Sequence, residues 1–188
     1  MLSNQLAVKY AQALCDLTKE KGILDEAEQQ LGMVVSLTEQ NNDFYTLLFH
    51  PLVPGAAKKE TIVRLFGSEL HVIVLNFLLL LVDKRREAAL PAILREYTSL
   101  ANELRNIVIA DVTTALPLAD KQEQALVAKL SAITGKTVRV QQHVDKRLIG
   151  GVVVKIGDKL IDGSVARQLT MLKAALTKIP LTKIGVTG

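Results

Sequence analysis

Apolar residues recur at helical spacing through residues 1–105 and give way to short alternating runs through residues 106–188. Leu6, Tyr10, Ala13, Leu14 and Leu17 share one stripe, which predicts a first helix that Ser3 or Asn4 can cap and Lys21-Gly22 closes. Leu24, Ala27, Leu31, Val34, Val35 and Thr38 predict a second helix. Asn41-Asn42-Asp43 ends it and caps a short third one carrying Phe44, Leu47 and Leu48. His50-Pro51-Leu52-Val53-Pro54-Gly55 reads as a linker, because each proline disfavours helix at the residue before it. A fourth helix follows over residues 58–66 and stops at Gly67.

The fifth helix, over residues 69–83, differs in kind: its stretch 72–82 is apolar almost all round and is interrupted by Asn76. At 11 residues that stretch is too short to cross a bilayer. It reads either as a central helix wrapped by its siblings or as a helix with one face open to a partner helix. Asn76 favours the second reading, since an amide inside an apolar stripe needs a hydrogen-bond partner. A sixth helix over residues 88–105 turns Leu90, Ile93, Leu94, Tyr97, Leu100 and Leu104 inward. Short helices joined by short loops predict an all-α six-helix bundle.

From Asn106 the pattern predicts a small α/β domain with a short sheet and two helices. Residues 107–115 form a β-rich run that Pro117 ends. Asp120-x-x-Glu123 has the spacing of a capping box and opens a helix with Leu126, Leu130 and Ile133 on its core side. Val138, Val140 and Val144 alternate within a strand over residues 137–144. Asp145 to Arg147 make a charged corner. A further strand, residues 148–156, is broken early by Gly150-Gly151, where a bulge or close backbone approach is expected. Gly157-Asp158-Lys159 is a turn between apolar runs, and Leu160 to Asp162 lead through Gly163 into a last helix capped by Asp162 or Ser164. That helix carries Val165, Leu169, Leu172 and Leu176, and Pro180 opens a loose tail.

The chain has 188 residues, 49% of them hydrophobic and 22% charged, enough for cores built of Leu, Val, Ile and Ala without tryptophan. Its single cysteine, Cys15, excludes an internal disulfide. The N-terminus lacks the basic-then-apolar order of a secretory signal, and the composition is that of a soluble protein. The net charge of +4 divides unevenly. Residues 1–105 hold 11 Lys/Arg and 13 Asp/Glu, giving −2, and residues 106–188 hold 12 and 6, giving +6. The second half should therefore favour an acidic partner.

No motif carries catalysis. Gly135-Lys136-Thr137 imitates the end of a phosphate-binding loop, but Leu130 stands where its first glycine belongs and the order is helix into strand. His50, His71 and His143 are scattered without metal-ligand spacing. Asp145, Asp158 and Asp162 sit at turns and caps, where aspartate has an ordinary backbone role. Lys58-Lys59 and Lys84-Arg85-Arg86 are short basic groups without aromatic interleaving, a poor nucleic-acid surface. A nucleic-acid-binding factor using the basic half, and a small transferase with a ligand cleft, are the two readings from other classes.

Read from Val144 to Leu169, the string Val-Asp-x-x-Leu-Ile-Gly-Gly-x-x-Val-x-Ile-Gly-Asp-x-x-Ile-Asp-Gly-Ser-Val-x-x-Gln-Leu resembles the C-terminal signature of the delta subunit of F-type ATP synthase. The mitochondrial relative of that subunit is the oligomycin-sensitivity-conferring protein. The signature residues are Asp145, Leu148, Ile149, Gly150, Gly151, Gly157, Asp158, Asp162, Gly163 and Ser164. A weaker likeness covers the first half, through Lys9-Tyr10-Ala11-x-Ala13-Leu14 and Asn76-Phe77-Leu78 followed by Arg86. Arg85 stands where many members have glycine, and Ala119 where they often have serine.

The resemblance implies a non-catalytic, cofactor-free stator subunit at the cytoplasmic face of a bacterial membrane, attached through its complex and without nucleic-acid partners. The family's N-terminal bundle, here 1–105, grips N-terminal helices of alpha subunits in the catalytic head. Tyr10, Ala13, Asn76 and Leu80 match family positions near that contact. The C-terminal domain, here 106–188, holds the end of the b subunit helices, so that the head does not turn with the rotor.

Overall fold

Two compact units, Met1–Arg105 and Asn106–Gly188, make up the chain. The computed structural model describes residues 2–177, with side chains from 5 to 176. The cap expected from Ser3 or Asn4 and the tail expected around Pro180 lie outside those described residues.

The first unit is helical. Its elements are α1 (Leu2–Glu20), α2 (Leu24–Gln40), α3 (Asn42–Phe49), α4 (Gly55–Phe66), α5 (Val72–Asp83), a 3-10 turn (Glu87–Ala89) and α6 (Leu90–Leu104). The stripe of α2 is buried as its spacing predicts, at Ala27, Leu31, Val34, Val35 and Thr38. Asn41 caps α3, its Oδ1 accepting from the Phe44 N–H at 2.9 Å. Two boundaries and one inward position differ from the sequence pattern. The expected linker shortens because Pro54, at φ −59° and ψ 138°, takes the cap position and lets α4 begin at Gly55. Helix α5 begins at Val72, with its apolar run, and not at the expected residue 69, because His71 caps it, its Nδ1 accepting from the Ile73 N–H at 3.2 Å. Leu104 of α6, expected inward, is exposed, and Ala101 is buried in its stead.

At the centre of this unit Tyr97 is fully buried. Its hydroxyl lies 2.6 Å from Thr18 Oγ1 and 3.1 Å from the Leu24 carbonyl, tying α6 to α1 and to the start of α2. Burial pushes the Tyr97 phenol up to about 12, so it stays a neutral hydrogen-bonding group. Arg105 donates from Nη1 to Glu28 Oε2 at 2.7 Å and pairs through Nη2 with Asp25, holding the end of α6 against α2.

The second unit is a small α/β fold: β1 (Ile107–Thr114), α7 (Asp120–Thr134), β2 (Thr137–Val144), β3 (Gly151–Ile156), β4 (Lys159–Ser164) and α8 (Val165–Thr177). The sheet order is β2-β1-β3-β4. Strands β1 and β2 pair in parallel, joined through α7, whereas β1–β3 and β3–β4 are antiparallel. Ala110, Val112, Val138 and Val154 meet Leu130 of α7 in one core, with Leu126 partly buried against it. Ile133, expected on that core side, is 74% exposed. The covered side of α7 runs through Val127, Leu130 and Thr134, which leaves Ile133 on the neighbouring face.

The α7 cap also departs from expectation. The cap position is Ala119, not Asp120, and Gln122 is the residue that reaches back, its Oε1 accepting from the Ala119 N–H at 3.1 Å. Alanine has no oxygen to return, so only half of a capping box forms.

Candidate functional site

Helices α1 and α5 leave a groove of about 470 Å³ between them. Tyr10 and Ala13 line it from α1, and Asn76 and Leu80 line it from α5. The pairs stand where helical spacing puts them, three and four residues apart along one face of each helix. Leu14 and Phe77 floor the groove, and Tyr10 meets Phe77 edge-on with ring centroids 6.3 Å apart.

Helix α5 is not wrapped on all sides by its siblings. Val74, Phe77, Leu78, Leu81 and Val82 are buried, whereas Asn76 is exposed and Leu80 is 43% exposed. Asn76 makes no side-chain hydrogen bond among the described residues, and its amide faces the open groove. Leu17, read from spacing as part of the inward stripe, is 41% exposed and lines the groove as well. Leu17 and Ile73 were legible only as apolar positions. Leu17 extends the pair Tyr10 and Ala13 by one helical turn, and Ile73 extends the pair Asn76 and Leu80 by one turn in the other direction along α5.

The signature residues of the second unit have structural roles, and they do not converge on a catalytic cluster. Asp145 turns the corner after β2: its Oδ1 accepts from the Arg147 N–H at 2.9 Å, and its Oδ2 pairs with Arg147 Nη2 at 2.9 Å. Those bonds from the Arg147 side chain, and then from its backbone, hold the Asp145 carboxyl below the usual range. Leu148 and Ile149, expected as the start of a strand, lie before it, and β3 begins at Gly151. Gly151, at φ +85°, breaks the extended backbone there and accounts for the difference.

Gly157 and Asp158 form the two-residue turn between β3 and β4. Asp162 Oδ1 accepts from the Ser164 N–H at 2.9 Å, which lowers its carboxyl. Ser164 Oγ accepts from the Arg167 N–H at 3.2 Å and caps α8. Of the two residues proposed as the cap, Ser164 is the one that caps α8, and Asp162 braces the turn before it. The stripe Leu169, Leu172 and Leu176 of α8 is more than half exposed.

Among the described residues there is no group of three or more His, Cys, Asp or Glu able to hold a metal, and no helix is long and apolar enough to cross a membrane. Gly135 ends α7 in the left-handed conformation, so the Gly-Lys-Thr run is a helix terminus followed by a strand.

The family model for the ATP synthase delta (OSCP) subunit matches residues 6–176. The chain belongs to this family. It is 41% identical over 185 residues to ATP synthase subunit delta of Desulforudis audaxviator, an alignment covering 98% of this chain and 100% of that one. It is 40% identical over 182 residues to the same subunit of Syntrophomonas wolfei, covering 97% and 100%. Its fold matches a chain of the Toxoplasma gondii mitochondrial ATP synthase hexamer with a TM-score of 0.66, at 21% identity, over 94% of this chain and 99% of that one. Membership makes the chain a structural subunit of an ATP synthase and not an enzyme. It serves ATP synthesis and ion transport as part of the peripheral stalk, with membrane association through the complex.

Proposed function

We propose that this subunit is the stator link between the catalytic head and the b subunits at the cytoplasmic face of a bacterial membrane. The N-terminal unit acts as a six-helix bundle that holds an amphipathic alpha-subunit N-terminal helix in the α1–α5 groove. The observation that carries this reading is the groove itself, where Tyr10, Ala13, Asn76 and Leu80 line an apolar trough left uncovered by the unit's own helices. A helix laid there would bury the exposed part of Leu80 and Leu17 and could bond the Asn76 amide. The C-terminal unit, with its +6 balance, holds the b subunits. Two attachments, one on each unit, would let the chain resist the torque of the rotor without performing any chemistry.

The test is reconstitution of the full chain with the isolated head and with the soluble part of the b subunit. The reading expects binding to each separately and a ternary complex with both. Trimming the alpha N-terminal helices should abolish the first contact and leave the second. Unchanged head binding after trimming would remove the α1–α5 groove from the assignment.

A further inference from the structure

Charge enters the α1–α5 groove at one place. Lys9 is the one charged residue among the described residues that line it, and no carboxylate lines it. Lys9 is exposed and takes part in no ion pair or hydrogen bond among the described residues. The positions within helical reach of it on α1 are Gln5, Leu6, Gln12 and Ala13, none of them acidic. The nearest carboxylate along α1, Asp16, lies two turns on and accepts from Gln12 Nε2 at 2.9 Å. Across the groove, the only charged residue of α5 is Asp83, which Lys59 Nζ meets at 2.7 Å. The Lys9 ammonium therefore has no counter-charge in the walls of its own groove.

An apolar trough by itself holds a helix loosely in register. The apolar side chains of an amphipathic helix recur at each turn, so a shift of one turn, about 5.4 Å, restores nearly the same burial against Leu17, Phe77 and Leu80. A polar group at one place removes that degeneracy, as a single polar residue does in the seam of a coiled coil. The groove has two such groups, the Asn76 amide and the Lys9 ammonium. The amide both donates and accepts, so it pairs with many partners. The ammonium donates only and carries a charge, so it discriminates by sign.

We infer that Lys9 sets the register of the alpha-subunit helix in this groove by pairing with one carboxylate beside that helix's apolar stripe. A shift by one turn takes the carboxylate out of reach and leaves the ammonium unpaired. A basic residue at the same place is repelled, so the groove admits an amphipathic helix with an acidic flank and rejects one with a basic flank. This role rests on the α1–α5 groove being the alpha-subunit site, and it adds the chemistry by which that site chooses among amphipathic helices.

The experiment is calorimetric titration of the full chain with an alpha N-terminal peptide, and with versions of it in which each Asp or Glu flanking the apolar stripe is replaced in turn by Lys. Circular dichroism melts accompany every chain variant. Lys9→Glu should weaken binding of the parent peptide about tenfold, and Lys9→Gln about threefold, with melts close to the parent's. One Lys-substituted peptide, and only one, should bind Lys9→Glu more tightly than it binds the parent chain. Binding of the parent peptide to Lys9→Gln should depend less on salt than binding to the parent chain. If the parent chain binds no alpha peptide, the groove reading fails and the role of Lys9 with it. If Leu80→Asp weakens binding while Lys9→Glu binds as the parent does, the groove reading stands and the role of Lys9 is overturned. If Lys9→Glu weakens binding and no substituted peptide restores it, the charge acts only through its general field, which overturns the role in register as well.

Discussion

Gly151 lies so close to Gly163 that a Cβ built on it would stand 2.4 Å from the Gly163 carbonyl oxygen and 2.9 Å from the Ser164 Cα. Both obstacles are backbone, at the junction of β4 and α8, so no side chain can swing aside. The φ of +85° adds a conformational penalty for any other residue. The signature glycine thus lets β3 start against β4 while the preceding loop is folded back.

Gly151→Ala should therefore destabilise the C-terminal unit by about 2 to 4 kcal/mol, combining backbone strain with displacement of the β4–α8 junction. Hydrogen exchange resolved by residue is the suitable measurement, since it separates the two units. Protection should fall across β3 and β4 and persist in α1 to α6. An unchanged exchange pattern would show that the junction can shift at little cost.

Ala119→Ser should stabilise the same unit. The Gln122 half of the capping box is in place, and a serine hydroxyl would supply an acceptor to the free N–H groups of the first α7 turn. The expected gain is about 1 kcal/mol, read from the midpoint of a urea titration. No gain would mean that solvent satisfies those groups as well as a hydroxyl does.

Helix stripes and strand alternation were legible because burial selects apolar residues at the period of each element. Ala27, Leu31 and Val34 show this in α2, as do Val138 and Val140 in β2. Boundaries were less legible where one residue overrides the pattern. His71 starts α5 at Val72 and not at residue 69, Pro54 starts α4 early, and Gly151 cuts Leu148 and Ile149 out of β3. The tie between Thr18 and Tyr97 was not legible, because it joins residues 79 apart in sequence. Four groove residues were legible by resemblance, and helical spacing then accounts for why Leu17 and Ile73 join them. A groove lined by Leu116 and Ile149 in the second unit was hidden, since these residues come from separate loops that only the fold brings to one rim.

Arg85→Gly should raise the stability of the N-terminal unit. Arg85 sits at φ 54°, a left-handed conformation that costs a side-chain-bearing residue about 1 kcal/mol, partly offset by the greater unfolded freedom of glycine. The net gain expected is roughly 0.5 kcal/mol, measured by denaturant titration of both proteins. A loss would show that the Arg85 side chain makes a contribution larger than its backbone cost.

Alkaline pH should weaken the N-terminal unit through Tyr97. In the unfolded chain its phenol ionises near the ordinary 10, and in the folded state burial raises this to about 12. Between those values the unfolded chain gives up the proton first, so stability is fully present below about pH 10 and is lost as pH rises through about 12. The total loss is about 2 to 3 kcal/mol. Tyr97→Phe should flatten this part of the profile while lowering stability at neutral pH by about 1 kcal/mol for its missing hydrogen bonds. Parallel profiles for the two proteins would assign the alkaline loss to other groups.

Leu80→Asp tests the α1–α5 groove most directly. Leu80 is 43% exposed, and its neighbours Leu78, Leu81 and Val82 carry the packing of α5. A carboxylate there can stay hydrated in the free subunit, so the melt should move little. In the proposed complex the same carboxylate would be desolvated against the apolar side of an alpha-subunit helix, at a cost of about 2 to 4 kcal/mol. Titration of the full chain with an alpha N-terminal peptide should accordingly show affinity lowered by at least about thirtyfold. Leu80→Ala should lose less, since it removes area without adding charge. Full affinity in Leu80→Asp with an intact melt would mean that the peptide lies elsewhere. A collapsed melt in both variants would instead make Leu80 part of the core that holds α5.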